Sequence, residues 1–324
     1  MNTQADAPSA PGARKPRRRW KFSWLNLAIS ILLLAGLVLL VYPTAASWVS
    51  QHNQSNLITD QATENSRKAQ AEISKSLKDA HKYNDLLESG ALLASGAHVA
   101  EGTGTTDTQL DYWKLLKADP TGVMARLQVP AIDLDLPVYH GTSDKTLLAG
   151  VGHLQGTSLP VGGTGTRSVL TGHRGLANAT MFTNLDRVKK GDTFSVEVLG
   201  EVLTYRVFKI EVVDPDATEE IRAVKGKDLM TLVTCTPLGI NTHRILITGE
   251  RVSPTPQSDI DSMNAAPDVP GFPWWIVVLA SGTVVIGTWY WRAGLGPRPK
   301  RTREEKRCAQ DGCVKRGGTA TGIV

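Results

Sequence analysis

Two uninterrupted apolar runs near the ends of the chain each predict a membrane-spanning helix. Residues 24–42 and 273–291 are each 19 residues long and contain no charged side chain. A helix of that length rises about 28 Å, which is close to the thickness of the hydrocarbon layer of a bilayer. Tryptophan and tyrosine residues lie at the ends of both runs, as they do at membrane interfaces, whereas a soluble core helix of this length normally carries a polar stripe.

Between these runs, the apolar residues change from a helical spacing to an alternating one. Ile73, Leu77 and Ala80 recur at helical intervals among charged residues, so a helical segment is predicted over 43–95, with Gly90 as its stop. From about residue 123 the period becomes two, which is typical of β-strands. Strand-like runs lie at 123–129, 132–138, 168–171, 193–199, 203–213, 230–235 and 244–252. Many short strands separated by glycine and proline turns predict a mainly β fold, either a barrel or a sandwich.

The composition of the remaining segments predicts how they connect these parts. Residues 96–110 are small and polar, with four threonines and three glycines, so a flexible, lid-like loop is predicted over 96–118. Residues 253–272 are rich in proline, serine, aspartate and alanine, which predicts a linker to the second apolar run. The β domain is therefore expected over 119–252.

The positive charge of the chain lies at its two ends. Residues 1–42 contain six Lys/Arg and one acidic residue, and residues 273–324 contain nine and three. The 230 residues between them hold 21 basic and 27 acidic groups, a net charge of about −6, although the whole chain has a formal net charge of +5. A nucleic-acid-binding domain needs a basic surface, so this distribution argues against a nucleic-acid partner.

The basic tails predict the orientation of the two helices. The tail 1–23 precedes the first apolar run and the tail 292–324 follows the second, and positive residues flank the cytoplasmic ends of membrane helices. Both termini are therefore expected in the cytoplasm, and residues 43–272 outside the cell membrane. The first run is also compatible with a cleaved signal peptide, because small residues follow it at 44–46. In either case the β domain is extracellular.

Cys235 is the one cysteine of the predicted extracellular domain, since Cys308 and Cys313 lie in the C-terminal tail. It ends an apolar strand, after which the chain turns at 237–239 and enters a strand that contains Arg244. If the two strands are neighbours, Cys235 lies beside Arg244. A guanidinium there favours the thiolate and can stabilise an oxyanion, which is typical of a cysteine nucleophile. From the cysteine count alone, a buried inert thiol remains an equal alternative.

A cysteine nucleophile also needs a proton carrier, and the chain offers seven histidines. His173 is the preferred candidate, because it directly follows a strand and lies in the sequence TGHRG, where glycines allow backbone and substrate to approach. His153 and His243 are expected to be structural. His98 lies in the predicted loop and His52 near the membrane, so both are poor candidates.

Several separated motifs together resemble the sortases, the cysteine transpeptidases of Gram-positive cell surfaces. The motifs are TLVTCT at 231–236, TGHRG at 171–175, YHG at 139–141, GHLQGTSLP at 152–160, FTNLD at 182–186 and GINTHR at 239–244. With a membrane helix after the domain, they are similar to the pilus-building class C subgroup. The resemblance covers about residues 80–252.

The resemblance implies a closed sortase β-barrel with an N-terminal helical segment, flanked by two transmembrane helices. By position, Cys235 corresponds to the nucleophile, His173 to the catalytic histidine and Arg244 to the catalytic arginine. The implied reaction cleaves an LPXTG-like sorting signal between Thr and Gly through an acyl-thioester and transfers it to an amine. The implied partners are LPXTG-bearing surface proteins or pilin subunits, with a pilin lysine or a cell-wall peptide as acceptor. No cofactor and no metal are implied.

Three features depart from the class C pattern. The lid of that subgroup often carries an Asp-Pro-aromatic tripeptide over the cysteine, but residues 96–113 contain none, and Trp113 is at best a weak substitute. We therefore expect Cys235 to be more accessible to thiol reagents than in lidded relatives. Leu238 and Arg167 occupy positions where the subgroup commonly has tyrosine and histidine, respectively.

Other functions stay open at the level of sequence. A surface cysteine hydrolase would use the same residues with water as the acceptor. An inactive adaptor on the same barrel is disfavoured, because all three chemical residues are present. A zinc site of Cys235, His173 and His243 would lack a fourth ligand and is disfavoured as well.

Overall fold

The computed structural model describes residues 20–68, 70–88, 91–92, 101–102, 105–106, 110–117, 122–267 and 270–295. The described residues divide into two compact units. One unit is Leu40–Ile276, and the other contains the described residues on either side of it.

Both apolar runs are helical, as their length and composition predict. The helices are α1 (Trp24–Arg67), α2 (Gln70–Asp85), α3 (Asp144–Ala149), α4 (Gln257–Asn264) and α5 (Trp274–Gly294). The segments Trp24–Thr63 and Trp274–Gly294 are long and apolar enough to cross a membrane. In the unit formed by the helix ends, the Lys21 N–H donates to the Gly294 carbonyl at 2.8 Å, so the start of α1 lies beside the end of α5.

Eight strands form a closed barrel. They are β1 (Val123–Val129), β2 (Leu134–His140), β3 (Val151–His153), β4 (Thr166–Thr171), β5 (Thr193–Val198), β6 (Glu201–Val213), β7 (Asp228–Thr236) and β8 (His243–Val252). Their order is β6-β8-β7-β4-β3-β2-β1-β5, closing on β6. The pairs β4–β7 and β2–β3 are parallel, and the others are antiparallel.

The two faces of the strands are buried against different partners. Leu170, Leu232 and Ile247 point to the main core, to which α2 also contributes. Their neighbours in sequence point to the opposite face, because successive side chains of a strand alternate. There, a second apolar cluster contains Leu154, Val169, Ile221, Val233 and Leu246. Cys235 is two residues beyond Val233 and therefore lies on the face of this second cluster.

The predicted fold class, a mainly β closed barrel flanked by two apolar helices, is confirmed. The structure adds β3 and α3, which the hydrophobic pattern did not predict. Helix α2 ends at Asp85, before the predicted stop at Gly90. Within 253–272, predicted as a linker, residues Gln257–Asn264 form α4, which is held to the barrel where Arg126 donates to the Met263 carbonyl at 2.7 Å.

The predicted loop over 96–118 lies partly outside the described residues. Of its described parts, Glu101–Gly102 pairs with Ala91–Leu92, and Thr105–Thr106 pairs with Leu87–Glu88. Residues Tyr112–Lys114 form a short 3-10 helix. The loop prediction remains a prediction.

Candidate active site

Cys235 and Arg244 are directly opposite each other on neighbouring strands. Cys235 lies near the end of β7, Arg244 near the start of β8, and the two residues are paired in the antiparallel register. Paired residues of antiparallel strands have Cβ atoms about 5 Å apart on the same face. Cys235 is 7% exposed and Arg244 is 1% exposed, so both sit at a largely desolvated position.

His173 reaches the same end of the barrel from β4, on the other side of β7. Thr171 is paired with Val233 in the parallel register, and the Gly172 N–H donates to the Val233 carbonyl at 3.1 Å. The Thr234 hydroxyl donates back to the Gly172 carbonyl at 2.8 Å. His173 and Cys235 are therefore each two residues beyond a paired position. The side chain of His173 is partly exposed.

Glycines on both sides of His173 allow its loop to pack closely. A Cβ at Gly172 would lie 2.8 Å from the Phe182 ring, and one at Gly175 would lie 2.4 Å from Leu238. Gly175 also has a φ of +77°, a conformation that L-residues rarely adopt. A larger side chain at either glycine of the TGHRG motif would clash with a neighbour, and Leu238 packs against Gly175.

The electrostatic environment of Cys235 combines two opposing influences. Burial raises the pKa of the Cys235 thiol, and the nearby Arg244 guanidinium lowers it. Burial is the larger influence, so the thiol form predominates at neutral pH. The Arg244 guanidinium is held in place by donating from Nη1 to the carbonyls of Asn241 and His243, at 2.9 and 3.0 Å. Cys235 forms no disulfide within the described part of the chain.

The two histidines of the YHG and GHLQGTSLP motifs lie elsewhere, in a buried cluster with Tyr112. The Tyr112 hydroxyl is 3.0 Å from His153 Nδ1, and His153 Nε2 is 2.8 Å from the Ser158 carbonyl. His140 Nε2 donates to the Leu115 carbonyl at 2.7 Å. Burial lowers the pKa of His153 to about 4 and lowers that of His140 as well. Both rings are therefore neutral at pH 7.

The remaining candidates are not gathered at this position. His243 follows the turn after β7, where Nε2 lies 3.4 Å from Asp214 and Nδ1 lies 2.8 Å from the Thr242 hydroxyl. His52 stacks on Trp48, with ring centroids 5.2 Å apart. Arg167 is buried on β4 and donates to the Glu220 carbonyl. His98, Cys308 and Cys313 lie outside the described residues.

Sequence reasoning assigned no role to Arg174, although it belongs to the TGHRG motif. Its side chain contacts Thr236, the residue after Cys235. Only adjacency to His173 could have indicated it, because the two contacting residues are 62 positions apart in the sequence.

Comparisons with known proteins show the family to which this chain is related. A family model described as the sortase domain matches residues 127–252. The crystal structure of sortase C-1 from Actinomyces oris is 50% identical, with a TM-score of 0.50, and the match covers 56% of this chain and 98% of that one. Sortase C1 from Streptococcus agalactiae is 40% identical, with a TM-score of 0.55, and the match covers 62% of this chain and 100% of that one. Sortase D of Bacillus subtilis is 29% identical over 175 residues, which are 53% of this chain and 85% of that protein.

The matches extend over nearly the whole length of the two solved structures, and the range matched by the family model contains Cys235, His173 and Arg244. A shared barrel alone would not indicate a shared chemistry, but identity of 40–50% over complete domains does indicate a common family. The chain belongs to the sortase family of transpeptidases, and class C pilus sortases are among its structural neighbours.

Proposed function

We propose that this protein is a membrane-anchored cysteine transpeptidase that cleaves an LPXTG-like sorting signal between Thr and Gly and transfers the acyl part to an amine. The observation that carries the proposal is the register of β7 and β8, which pairs Cys235 with Arg244, while His173 lies at the matching level beyond β4. In this proposal Cys235 is the nucleophile, His173 the acid and base, and Arg244 the oxyanion partner.

The first half-reaction breaks the peptide bond. The Cys235 thiolate attacks the threonine carbonyl carbon, and negative charge develops on the carbonyl oxygen. The buried Arg244 guanidinium stabilises that charge, an interaction that is strong where water is excluded. Protonated His173 then gives its proton to the departing glycine amine, which leaves the acyl group on Cys235 as a thioester.

The second half-reaction forms the new amide. His173, now neutral, takes a proton from the incoming amine as its nitrogen attacks the thioester carbonyl. The thiolate leaves, and Cys235 and His173 return to their starting protonation states. Because the thioester conserves most of the free energy of the broken amide, the exchange needs no nucleotide.

The raised pKa of Cys235 has a consequence for the first step. Only a small fraction of the thiol is ionised at neutral pH, and the reactive form also requires a protonated His173. Arg244 opposes the effect of burial, so its charge enlarges the reactive fraction before any substrate is bound. Arg244 therefore acts in both the resting and the reacting enzyme.

The proposed acceptor is a pilin lysine, so that the product is a polymer joined by isopeptide bonds. Support comes from the structural neighbours, one of which is described as the pilus-related sortase C of Group B Streptococcus. A cell-wall peptide amine is the second candidate, and water would make the protein a cysteine hydrolase.

Product analysis separates these three acceptors. The full chain in detergent is incubated with an LPXTG peptide and, in parallel, with a pilin-derived lysine peptide, a cell-wall stem peptide or buffer alone, and the products are identified by mass. The proposal predicts that the lysine peptide gives a ligated product faster than the stem peptide does. Faster reaction with the stem peptide, or free acid as the main product in all three mixtures, would contradict the pilin assignment.

We also propose that both termini are cytoplasmic and that residues 43–272 are extracellular, on the strength of the two apolar helices and their basic flanks. Protease added to intact cells should digest 43–272 and leave tags at both ends protected. Access to a C-terminal tag from outside would contradict the two-anchor topology.

A further inference from the structure

The side chain of Arg174 joins its own loop to two other segments, the end of β7 and residues 182–186. Its Nη1 donates to the Thr236 hydroxyl at 2.9 Å, its Nε donates to the Thr183 carbonyl at 3.3 Å, and its Nη2 forms an ion pair with Asp186 at 2.8 Å. The arginine side chain is only 7% exposed, whereas that of Asp186 is 49% exposed. Arg174 is thus a largely buried cation whose donors are directed at fixed partners.

These contacts connect the segments that carry the two residues proposed to react as a pair, His173 and Cys235. Arg174 directly follows His173, and Thr236 directly follows Cys235. Two further hydrogen bonds join these segments one or more residues earlier, between Gly172 and residues 233–234. The Arg174–Thr236 bond extends the connection past the end of β4, to the level of the reacting side chains.

The segment 182–186 supports the same loop from its other side. The Phe182 N–H donates to the His173 carbonyl at 2.9 Å, and the Gly175 N–H donates to the Thr183 hydroxyl at 3.1 Å. The backbone on both sides of Arg174 is therefore held, and the guanidinium joins this held loop to the end of β7. Three residues of the FTNLD motif, Phe182, Thr183 and Asp186, take part in these contacts.

We propose that Arg174 is a positioning residue that fixes His173 relative to Cys235. This inference rests on the proposed function, because it assumes that these two residues react as a pair. Proton transfer depends steeply on geometry, and a displacement of about 1 Å can lower a rate by about a hundredfold. A planar guanidinium can hold three partners in one fixed arrangement, which suits it to this role.

The role is distinct from that of Arg244. Asp186 neutralises Arg174 at close range, so its charge is already matched, whereas Arg244 lies directly opposite Cys235 on the neighbouring strand. Arg174 therefore acts on the reaction through His173, and Arg244 acts on the charge of the thiol and the oxyanion.

Steady-state kinetics of the full chain in detergent give the first test. Arg174→Ala should lower kcat for cleavage of an LPXTG peptide by about tenfold to a hundredfold, with KM changed by less than about twofold. Arg174→Lys should recover only part of the loss, since lysine can retain the Asp186 pair but not all three contacts. Thr236→Val removes one partner and should show a smaller loss of kcat. Arg187→Ala changes an exposed arginine of the same segment and serves as the control.

The second test does not depend on any peptide substrate. Cys235 alkylation by iodoacetamide is measured as a function of pH for Arg174→Ala, His173→Ala and the double variant, with thermal unfolding recorded for each. Arg174→Ala should shift the pH profile in the same direction as His173→Ala, and should change the alkylation rate by less than about twofold in the His173→Ala background.

The outcomes of the two tests are separable. The positioning role would be overturned if Arg174→Ala changed the alkylation rate of Cys235 equally in the wild-type and His173→Ala backgrounds. It would also be overturned if Arg174→Ala left the pH profile of alkylation unchanged. Either result could occur even if the protein is a transpeptidase. A coupled alkylation effect without any peptide cleavage would support the positioning role and contradict the proposed function instead. Should Arg174→Ala fail to fold, Thr236→Val in the same two backgrounds decides the question by the same criteria.

Discussion

His153 and His173 lie in two separate clusters of this barrel, and their surroundings suit them to different roles. In the buried cluster, His153 has both ring nitrogens within hydrogen-bonding distance of fixed partners and is fully buried. At the candidate active site, His173 follows the end of a strand, is partly exposed and lies at the level of Cys235. The residue type is the same, and the surroundings determine what it can do.

Burial favours the neutral form of His153 in the buried cluster. A carbonyl oxygen only accepts, so His153 Nε2 carries a hydrogen toward Ser158, and the Tyr112 hydroxyl lies 3.0 Å from Nδ1 and 3.1 Å from the His153 carbonyl. The Gly141 N–H in turn donates to the Tyr112 oxygen at 2.9 Å. This neutral ring attaches residues 110–117 to the barrel, and we expect it to have a structural role.

The largest expected effect comes from the same substitution made in both clusters. His173→Gln should lower the rate of Cys235 acylation by about 10² to 10⁴, because it removes the acid and base, with little change in thermal stability. His153→Gln should lower thermal stability and leave the acylation rate per folded molecule within about twofold. Both are measured on the full chain by stopped acylation assays and thermal unfolding, and the reverse pattern would mean that the two clusters have been assigned wrongly.

Arg244→Lys should show the next largest effect. A lysine keeps the positive charge but cannot reproduce the two-pronged donor geometry, so we expect a loss of about a hundredfold or more in kcat/KM. In Arg244→Ala, the positive charge that lowers the thiol pKa is removed, so the pH profile of Cys235 alkylation should shift to higher pH. Arg244→Lys keeps a positive charge, so its profile should shift less. An unchanged profile in Arg244→Ala would contradict the electrostatic role.

Acidification should affect the buried cluster specifically. The folded-state pKa of His153 is about 4, below its value of about 6.5 in an unfolded chain, so the unfolded state binds more protons between these values. The stabilisation is present above pH 6.5 and is lost as the pH falls towards 4, with a full size on the order of 3 kcal/mol. His153→Gln should flatten the dependence of unfolding temperature on pH in this window. An equally steep dependence in the variant would assign the acid sensitivity to other groups.

The smallest expected effect concerns the loop that leads into the buried cluster. Residues 96–110 lack an Asp-Pro-aromatic anchor, so their deletion should accelerate alkylation of Cys235 by less than about tenfold, which corresponds to about 1.4 kcal/mol of closure. A larger acceleration would show that the loop covers the site. The Tyr112→Phe variant provides a comparison, since it weakens the attachment of the following segment without shortening the chain.

The sequence was informative wherever periodicity or a local motif was long enough to read. Alternation located most of the barrel strands to within a few residues, and the fold class is confirmed. The three-residue strand Val151–His153 is too short for a period to be visible, and the eight-residue helix α4 lies in a segment with the composition of a linker. Prediction from pattern fails where an element is defined by packing on distant residues.

The candidate active site also contains some contacts that the sequence predicts and others that it does not. Cys235 and Arg244 were expected to be neighbours because a short turn joins their strands, and the register places them opposite each other. The Tyr112–His153 contact spans 41 residues, and the Arg174–Thr236 contact spans 62. Neither contact has a local sequence pattern that predicts it, so both were found only in the folded structure.

The central claim is that Cys235 forms a thioester with the sorting signal. The most direct measurement is the intact mass of the full chain in detergent after incubation with an LPXTG peptide and rapid acid quenching. The wild-type protein should gain the mass of the peptide minus its glycine-containing leaving part, and peptide mapping should place the adduct on Cys235, while Cys235→Ala gains nothing. An adduct on another residue, or cleavage of the peptide by Cys235→Ala, would contradict the account.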